Sequence, residues 1–138
     1  MALAASPDTK ESVQVVRATG TIEIDGQLNE PDWLQAQVVD TFLQYSPTEG
    51  GPPPGSTEFR FLQDERHLYI GMRVSGVDYP LRARVVPRED ISADDQLAVY
   101  LDTFRDTQSG YMFWFNPLGI QQDIRYGNGD WNQAWNTV

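Results

Sequence analysis

The feature that most constrains this chain is the alternation of apolar and polar side chains in several short runs. Leu68, Ile70, Met72 and Val74 would share one face of a strand, because successive strand residues point to opposite sides. Such alternation is typical of half-buried strands. Similar runs predict further strands at residues 21–25, 38–45, 57–61, 97–102, 111–116 and 120–126.

Turn residues separate these runs, and only one segment favours a helix. Residues 64–66 and 116–119 are typical of hairpin connections, and residues 50–55 of a proline-rich loop. A helix of about two turns is predicted to begin at Asn29, with Pro31 in its first turn. Many short strands with almost no helix indicate an all-β sandwich or barrel.

Composition excludes several classes of function. The 20 acidic residues outnumber the 10 basic ones and give a net charge of −10. This charge argues against nucleic acid or anionic membranes as partners, because both require basic patches. The chain has no cysteine and one histidine, His67, so disulfides, thiolate nucleophiles and multi-histidine metal sites are excluded. No apolar run reaches the roughly 18 residues of a membrane-spanning helix.

The two ends of the chain differ from its middle. Residues 1–18 are predicted to be a flexible N-terminal segment, since small and then polar residues fill most of it. Residues 19–138 are predicted to form one domain, which the chain length supports. A tryptophan-rich stretch runs up to Val138, and we expect further strands to follow it in a longer protein.

Aromatic side chains beside amides are the strongest functional lead. Trp114 lies on the strand face opposite Phe113 and Phe115, and Trp131 and Trp135 flank an Asn-Gln pair. The flat apolar faces of sugars stack on such rings, while amides and carboxylates pair with sugar hydroxyls. The alternative is that these tryptophans fill the core.

Acidic residues give a weaker indication of catalysis or metal binding. Asp94 and Asp95 are adjacent, so on a strand they would point to opposite faces and could not act as a carboxylate pair. Asp102 and Asp106 lie in a turn between two predicted strands and could hold calcium, which takes several oxygen ligands. Capping of the turn backbone is the alternative role for these two residues.

Several stretches of sequence, taken in order, resemble family 9 carbohydrate-binding modules. Residues 22–33 (IEIDGQLNEPDW) match the opening pattern I-x-I-D-G-x-L-x-E-x-x-W of that family. The other matching stretches are residues 57–64 (TEFRFLQD), 68–71 (LYIG), 95–102 (DQLAVYLD) and 110–116 (GYMFWFN).

The resemblance implies an immunoglobulin-like or jelly-roll-type antiparallel β-sandwich of the DOMON-like group, with one short helix and without its C-terminal strands. It implies non-catalytic binding of sugars or polysaccharide ends in carbohydrate catabolism, with structural calcium in some members. Residues 88–95, 101–103 and 116–119 resemble a subgroup that precedes an outer-membrane-type β-barrel region. A periplasmic, outer-membrane-associated or secreted location would follow from that likeness.

Sugar contacts are expected at residues that combine aromatic and polar chemistry. Ser92, Ala98 and Trp114 stand where sugar-binding members of the family have Trp, Glu and Arg, whereas Asn116 carries over. These departures favour an alternative function, a structural or interaction domain of an outer-membrane protein without a sugar ligand. The candidate ligand-binding residues are Trp114, Asn116, Trp131, Trp135, Arg88 and Asp95.

Expectations for partners follow from the same argument. Carbohydrate is the expected ligand. Missing strands would leave a sheet edge unpaired, which predicts a homodimer through that edge. An enzyme is not expected, because the sequence offers one histidine, no cysteine and no identifiable carboxylate pair.

Overall fold

A computed structural model of the chain describes residues 2–4, 12–127 and 130–132, with the backbone alone at 2–4 and 130–132. The chain divides into two compact units, unit 1 at residues 1–78 and unit 2 at residues 79–138.

The described residues of unit 1 form five strands and one helical turn. Strands β1 and β3 form an antiparallel pair, while β2, β4 and β5 form a second sheet in that order. β2 pairs in parallel with β4, although the sequence predicted an antiparallel fold, and it lies within the segment predicted to be flexible. The elements are β1 (Ala2–Ala4), β2 (Val16–Arg17), the 3-10 helix (Pro31–Leu34), β3 (Phe42–Gln44), β4 (Ser56–Gln63) and β5 (Leu68–Ser75).

Strands β4 and β5 form the hairpin that the alternation predicted. Their antiparallel register places Phe59 opposite Met72 and Phe61 opposite Ile70, so these four apolar residues share one face, as the alternation predicted. The carboxylate of Asp64 accepts hydrogen bonds of 2.7 Å from two backbone N–H groups of the turn. This bonding closes the turn in the way expected of an aspartate at its first position.

The core of unit 1 lies on the other face of this hairpin. Ile22, Trp33, Ala36 and Leu62 form one buried cluster. A Cβ atom at Gly71 would lie only 3.0 Å from the Trp33 ring, so glycine lets the indole approach the strand backbone. Burying a side chain the size of leucine contributes about 1.5–3 kcal/mol to folding stability, so this buried cluster stabilises the sheet.

The predicted two-turn helix from Asn29 is wrong, because the chain makes a single 3-10 turn at Pro31–Leu34 with Glu30 as its N-cap. The N–H of Gln35 donates to the carbonyl oxygen of Asp32 at 3.1 Å, the i to i+3 spacing of a tight turn. Leu34 is exposed, whereas Trp33 and Ala36 are buried.

The strand predicted at residues 21–25 is also wrong. Ile22 is buried, whereas Ile24 is 86% exposed, so the two side chains do not share a covered face. The N–H of Glu23 donates to the carboxylate of Glu30 at 2.8 Å. Side-chain acceptors of this kind compete with the hydrogen bonds of a strand ladder.

The strand predicted at residues 38–45 forms only in part. Val39 makes an isolated antiparallel bridge with Phe59, and β3 covers only Phe42–Gln44. The region therefore contributes a short edge to unit 1 rather than a continuous strand.

Unit 2 contains one four-stranded antiparallel sheet in sequence order, which confirms three strands that the alternation predicted. Residues 116–119 connect the second and third strands, and Gly119 adopts a φ of 76° that favours glycine. The strands are β6 (Leu97–Leu101), β7 (Ser109–Phe115), β8 (Gln121–Gly127) and β9 (Asp130–Asn132).

The prediction of an all-β fold is confirmed, since a single 3-10 turn is the one helical element of the described residues. None of the helical structure in the described part has the length and apolar character needed to cross a membrane. The sandwich arrangement stays a prediction.

Candidate functional site

An aromatic surface lies on one face of the unit 2 sheet. In the register of the sheet, Trp114 of β7 stands between Ala98 of β6 and Gln122 of β8. Because residues of a strand alternate between faces, Trp114 points away from the side that bears Phe113 and Phe115, as the sequence predicted.

A second ring completes this surface. Tyr100 lies on β6 two residues from Ala98, and its ring meets that of Trp114 edge to face, with centroids 5.7 Å apart and planes at 77°. This is a favoured geometry for aromatic pairs. Tyr100 is 48% exposed and Trp114 is partly buried. We call Tyr100, Trp114 and Gln122 the aromatic platform.

The sequence prediction missed Tyr100 and Gln122 as site residues. The alternation already placed Tyr100 on the face of Ala98, but only the strand register brings its ring to Trp114. No side-chain hydrogen bond joins Tyr100 or Gln122 to another residue of the described chain. The platform therefore offers apolar ring surface together with a hydroxyl and an amide that can bond to a ligand.

Asn116, a predicted ligand-binding residue, is buried within unit 2. Its Nδ2 donates to the Arg84 carbonyl oxygen at 3.0 Å and to Asp94 Oδ2 at 2.9 Å. Its Oδ1 accepts from the N–H groups of Leu118 at 3.0 Å and Ile120 at 2.9 Å. These four bonds use the full capacity of a side-chain amide, so none is left for a sugar hydroxyl.

Asp94 connects this amide to a basic side chain. Its side chain is 0% exposed and accepts from Nε of Arg84 at 2.7 Å. The pKa of Asp94 lies below its usual value of 3.8, first because of the Asn116 hydrogen bond and then because of Arg84. We call Arg84, Asp94 and Asn116 the loop clasp, since they fasten residues 84–94 to the end of β7.

Arg88, another predicted ligand-binding residue, is also engaged within unit 2. Its guanidinium pairs with the buried carboxylate of Asp123 and donates from Nε to Glu89 at 3.0 Å. The hydrogen bond to Asp123 is the main reason that the pKa of Arg88 is raised. Burial of Asp123 makes this pairing important, because an unpaired buried carboxylate is costly.

Asp95 has a local role as well. Its Oδ2 accepts from the N–H of Arg82 at 2.7 Å, and its own N–H donates to the Arg82 carbonyl oxygen at 2.8 Å. This reciprocal pair holds residue 82 against the start of β6. Of the predicted contact residues whose side chains the structure describes, only Trp114 lies on the aromatic platform.

The predicted calcium ligands cap their own loop. Asp102 accepts from the N–H groups of Asp106 at 3.3 Å and Thr107 at 2.9 Å. Asp106 accepts from the N–H groups of Gln108 and Ser109, and these bonds lower its pKa. Because N–H groups point at these oxygens, the donor set does not fit a calcium ion, which takes six to eight oxygen ligands.

The described residues bring together no group of three or more His, Asp or Glu side chains suited to a metal ion. The lone histidine lies in the β4–β5 turn, where Nδ1 of His67 is 3.2 Å from the carboxylate of Asp64. The hydroxyl of Tyr69 donates to the same carboxylate at 2.6 Å and is the main cause of its lowered pKa.

Two predicted contact residues fall outside what can be described. Trp135 lies beyond the described residues, and Trp131 is described by its backbone alone, in β9.

No family model, curated protein or solved structure matches the chain.

Proposed function

We propose that this chain is a non-catalytic carbohydrate-binding module that resembles family 9 and stacks a sugar ring on the aromatic platform. The observation that carries the proposal is the edge-to-face pair of Tyr100 and Trp114 on one face of the unit 2 sheet. A sheet holds such rings in place before binding, so little conformational entropy is lost when a ligand arrives.

The chemistry of a pyranose ring suits this surface. Its C–H groups form a flat apolar face that can cover an indole, and stacking on an aromatic ring contributes about 0.5–1.5 kcal/mol beyond area burial. The hydroxyls at the ring edge can bond to the free amide of Gln122 and the hydroxyl of Tyr100. Binding that depends on so few contacts falls in the micromolar to millimolar range.

The role needs no catalytic group, because reversible binding changes no covalent bond. We propose a periplasmic, outer-membrane-associated or secreted location for such a module. A homodimer through an unpaired sheet edge is part of the proposal.

The direct test is isothermal titration against a panel of neutral oligosaccharides with the wild type and with Trp114→Ala. We expect saturable binding by the wild type and at least about tenfold weaker binding by the variant, because the main stacking surface is lost. Tyr45→Ala is the control, since it removes an exposed ring from unit 1 and should leave affinity unchanged. Equal affinity of Trp114→Ala and wild type would remove the platform from the site.

A structural or interaction domain of an outer-membrane protein is the second candidate. It is favoured by the internal engagement of Asn116, Arg88 and Asp95, three of the residues expected to contact sugar. On this hypothesis the panel gives no binding by a folded wild-type sample, and the polar residues serve to hold loops in place.

A further inference from the structure

The platform face of the unit 2 sheet carries no charged side chain on β6, β7 or β8. These three strands contain two charged residues, Asp123 and Arg125, and the alternation of β8 puts both on the opposite face from Gln122. The residues on the platform face are Ala98, Tyr100, Gly110, Met112, Trp114, Gln122, Ile124 and Tyr126.

The loop that follows β6 adds a net negative charge near one end of this face. Asp102 follows directly after β6, two residues and about 7 Å along the chain from Tyr100. The loop at residues 102–108 contains two acidic residues, Asp102 and Asp106, and one basic residue, Arg105. The Debye length at physiological salt is about 8 Å, so salt only partly screens these charges from a ligand at Tyr100.

The aromatic rings also attract cations. The faces of tryptophan and tyrosine carry the negative part of the ring quadrupole, which attracts an ammonium group. A carboxylate or sulfate on a sugar would meet these ring faces without any arginine or lysine on the platform face of β6, β7 or β8 to pair with it, since Arg125 lies on the opposite face.

We propose that the aromatic platform selects sugars by charge: it binds sugars with a protonated amine more tightly than neutral ones and rejects acidic ones. The inference rests on the proposed function and specifies its ligand class as amino sugars.

The test uses three tetrasaccharides of one geometry, the β-1,4-linked oligomers of glucose, glucosamine and glucuronate. Titration is done at a pH that keeps the amines protonated and the carboxylates ionised. We expect the glucosamine oligomer to bind about tenfold more tightly than the glucose oligomer, and the glucuronate oligomer about tenfold more weakly. Added salt should reduce the preference for the amine, because screening weakens the field.

A charge-introducing variant tests the location of the selectivity. Gln122→Arg places a cation beside Trp114 and should tighten glucuronate binding while weakening glucosamine binding. Arg125→Gln is the matched control, since it removes a cation from the opposite face and should leave the order of the three ligands unchanged. Unfolding midpoints of both variants show whether each is folded.

The outcomes separate the two proposals. Glucuronate bound as tightly as glucose, or glucosamine bound no more tightly than glucose, overturns the charge selectivity and leaves the carbohydrate-binding proposal standing. Failure of all three oligomers to bind a folded wild type counts against the carbohydrate-binding function itself and removes the inference with it.

Discussion

Replacing Asn116 by alanine should destabilise the protein far more than a typical change at a polar position. The substitution removes four hydrogen bonds of 2.9–3.0 Å, of which two join the β7–β8 turn to residues 84 and 94 and two lie within the turn, from Leu118 and Ile120. A hydrogen bond contributes about 0.5–1.5 kcal/mol net, so four contribute about 2–6 kcal/mol. Since the turn itself is exposed at Leu118, water can replace part of the bonding, and we expect a loss of about 3 kcal/mol.

The loss is measured by urea unfolding followed by tryptophan fluorescence. With a urea dependence of about 1–3 kcal/mol per molar, a loss of about 3 kcal/mol should lower the midpoint of Asn116→Ala by about 1–3 M. A variant that is already unfolded without urea would agree with the expectation.

The matched control is Asn29→Ala. Asn29 is exposed, and its side chain makes one long hydrogen bond of 3.4 Å to Gln27. Its removal should change stability by less than about 0.5 kcal/mol. If Asn116→Ala cost as little as this control, the loop clasp would not be a source of stability and the structural role of Asn116 would be refuted.

Two further predictions concern pH and packing. Ionised Asp94 contributes stability above its unfolded-state pKa near 3.8, and this contribution is lost as pH falls through its lowered pKa in the folded protein. At pH values below about 4 the melting temperature of the wild type should therefore fall, and that of Asp94→Asn should fall less steeply. Equal dependence of the two melting temperatures on pH would contradict this. Gly110→Ala should cost about 1–3 kcal/mol in chemical unfolding, because its Cβ would lie 2.6 Å from the Leu101 carbonyl oxygen. Gly127→Ala is the control, since its Cβ would meet only an ordinary contact of 3.6 Å, and equal costs for the two variants would refute the packing argument.

Local chemistry accounts for what the sequence predicted correctly. Residues alternate across a strand whatever they pack against, so the faces of β4, β5 and β7 follow from the order of side chains. The turn at Asp64 can also be predicted from the sequence, because an aspartate side chain accepts hydrogen bonds from the backbone of its own turn.

Competition between local bonds and tertiary packing accounts for the errors. The stretch at residues 21–25 alternates like a strand, yet the Glu30 carboxylate takes the N–H of Glu23 that a ladder would use. The helix predicted from Asn29 is a single 3-10 turn that buries Trp33 in the core cluster.

By itself, the sequence determined the all-β class, the hairpins and the side of the sheet on which Trp114 lies. Only the tertiary structure decided the partners of those residues. The Asn116 amide bonds to residues 32 and 22 positions away, and Tyr100 reaches Trp114 through the register of two strands. The physical reason is that alternation is set by the geometry of one strand, whereas a partner is set by register and loop closure, which depend on the energy of the whole unit.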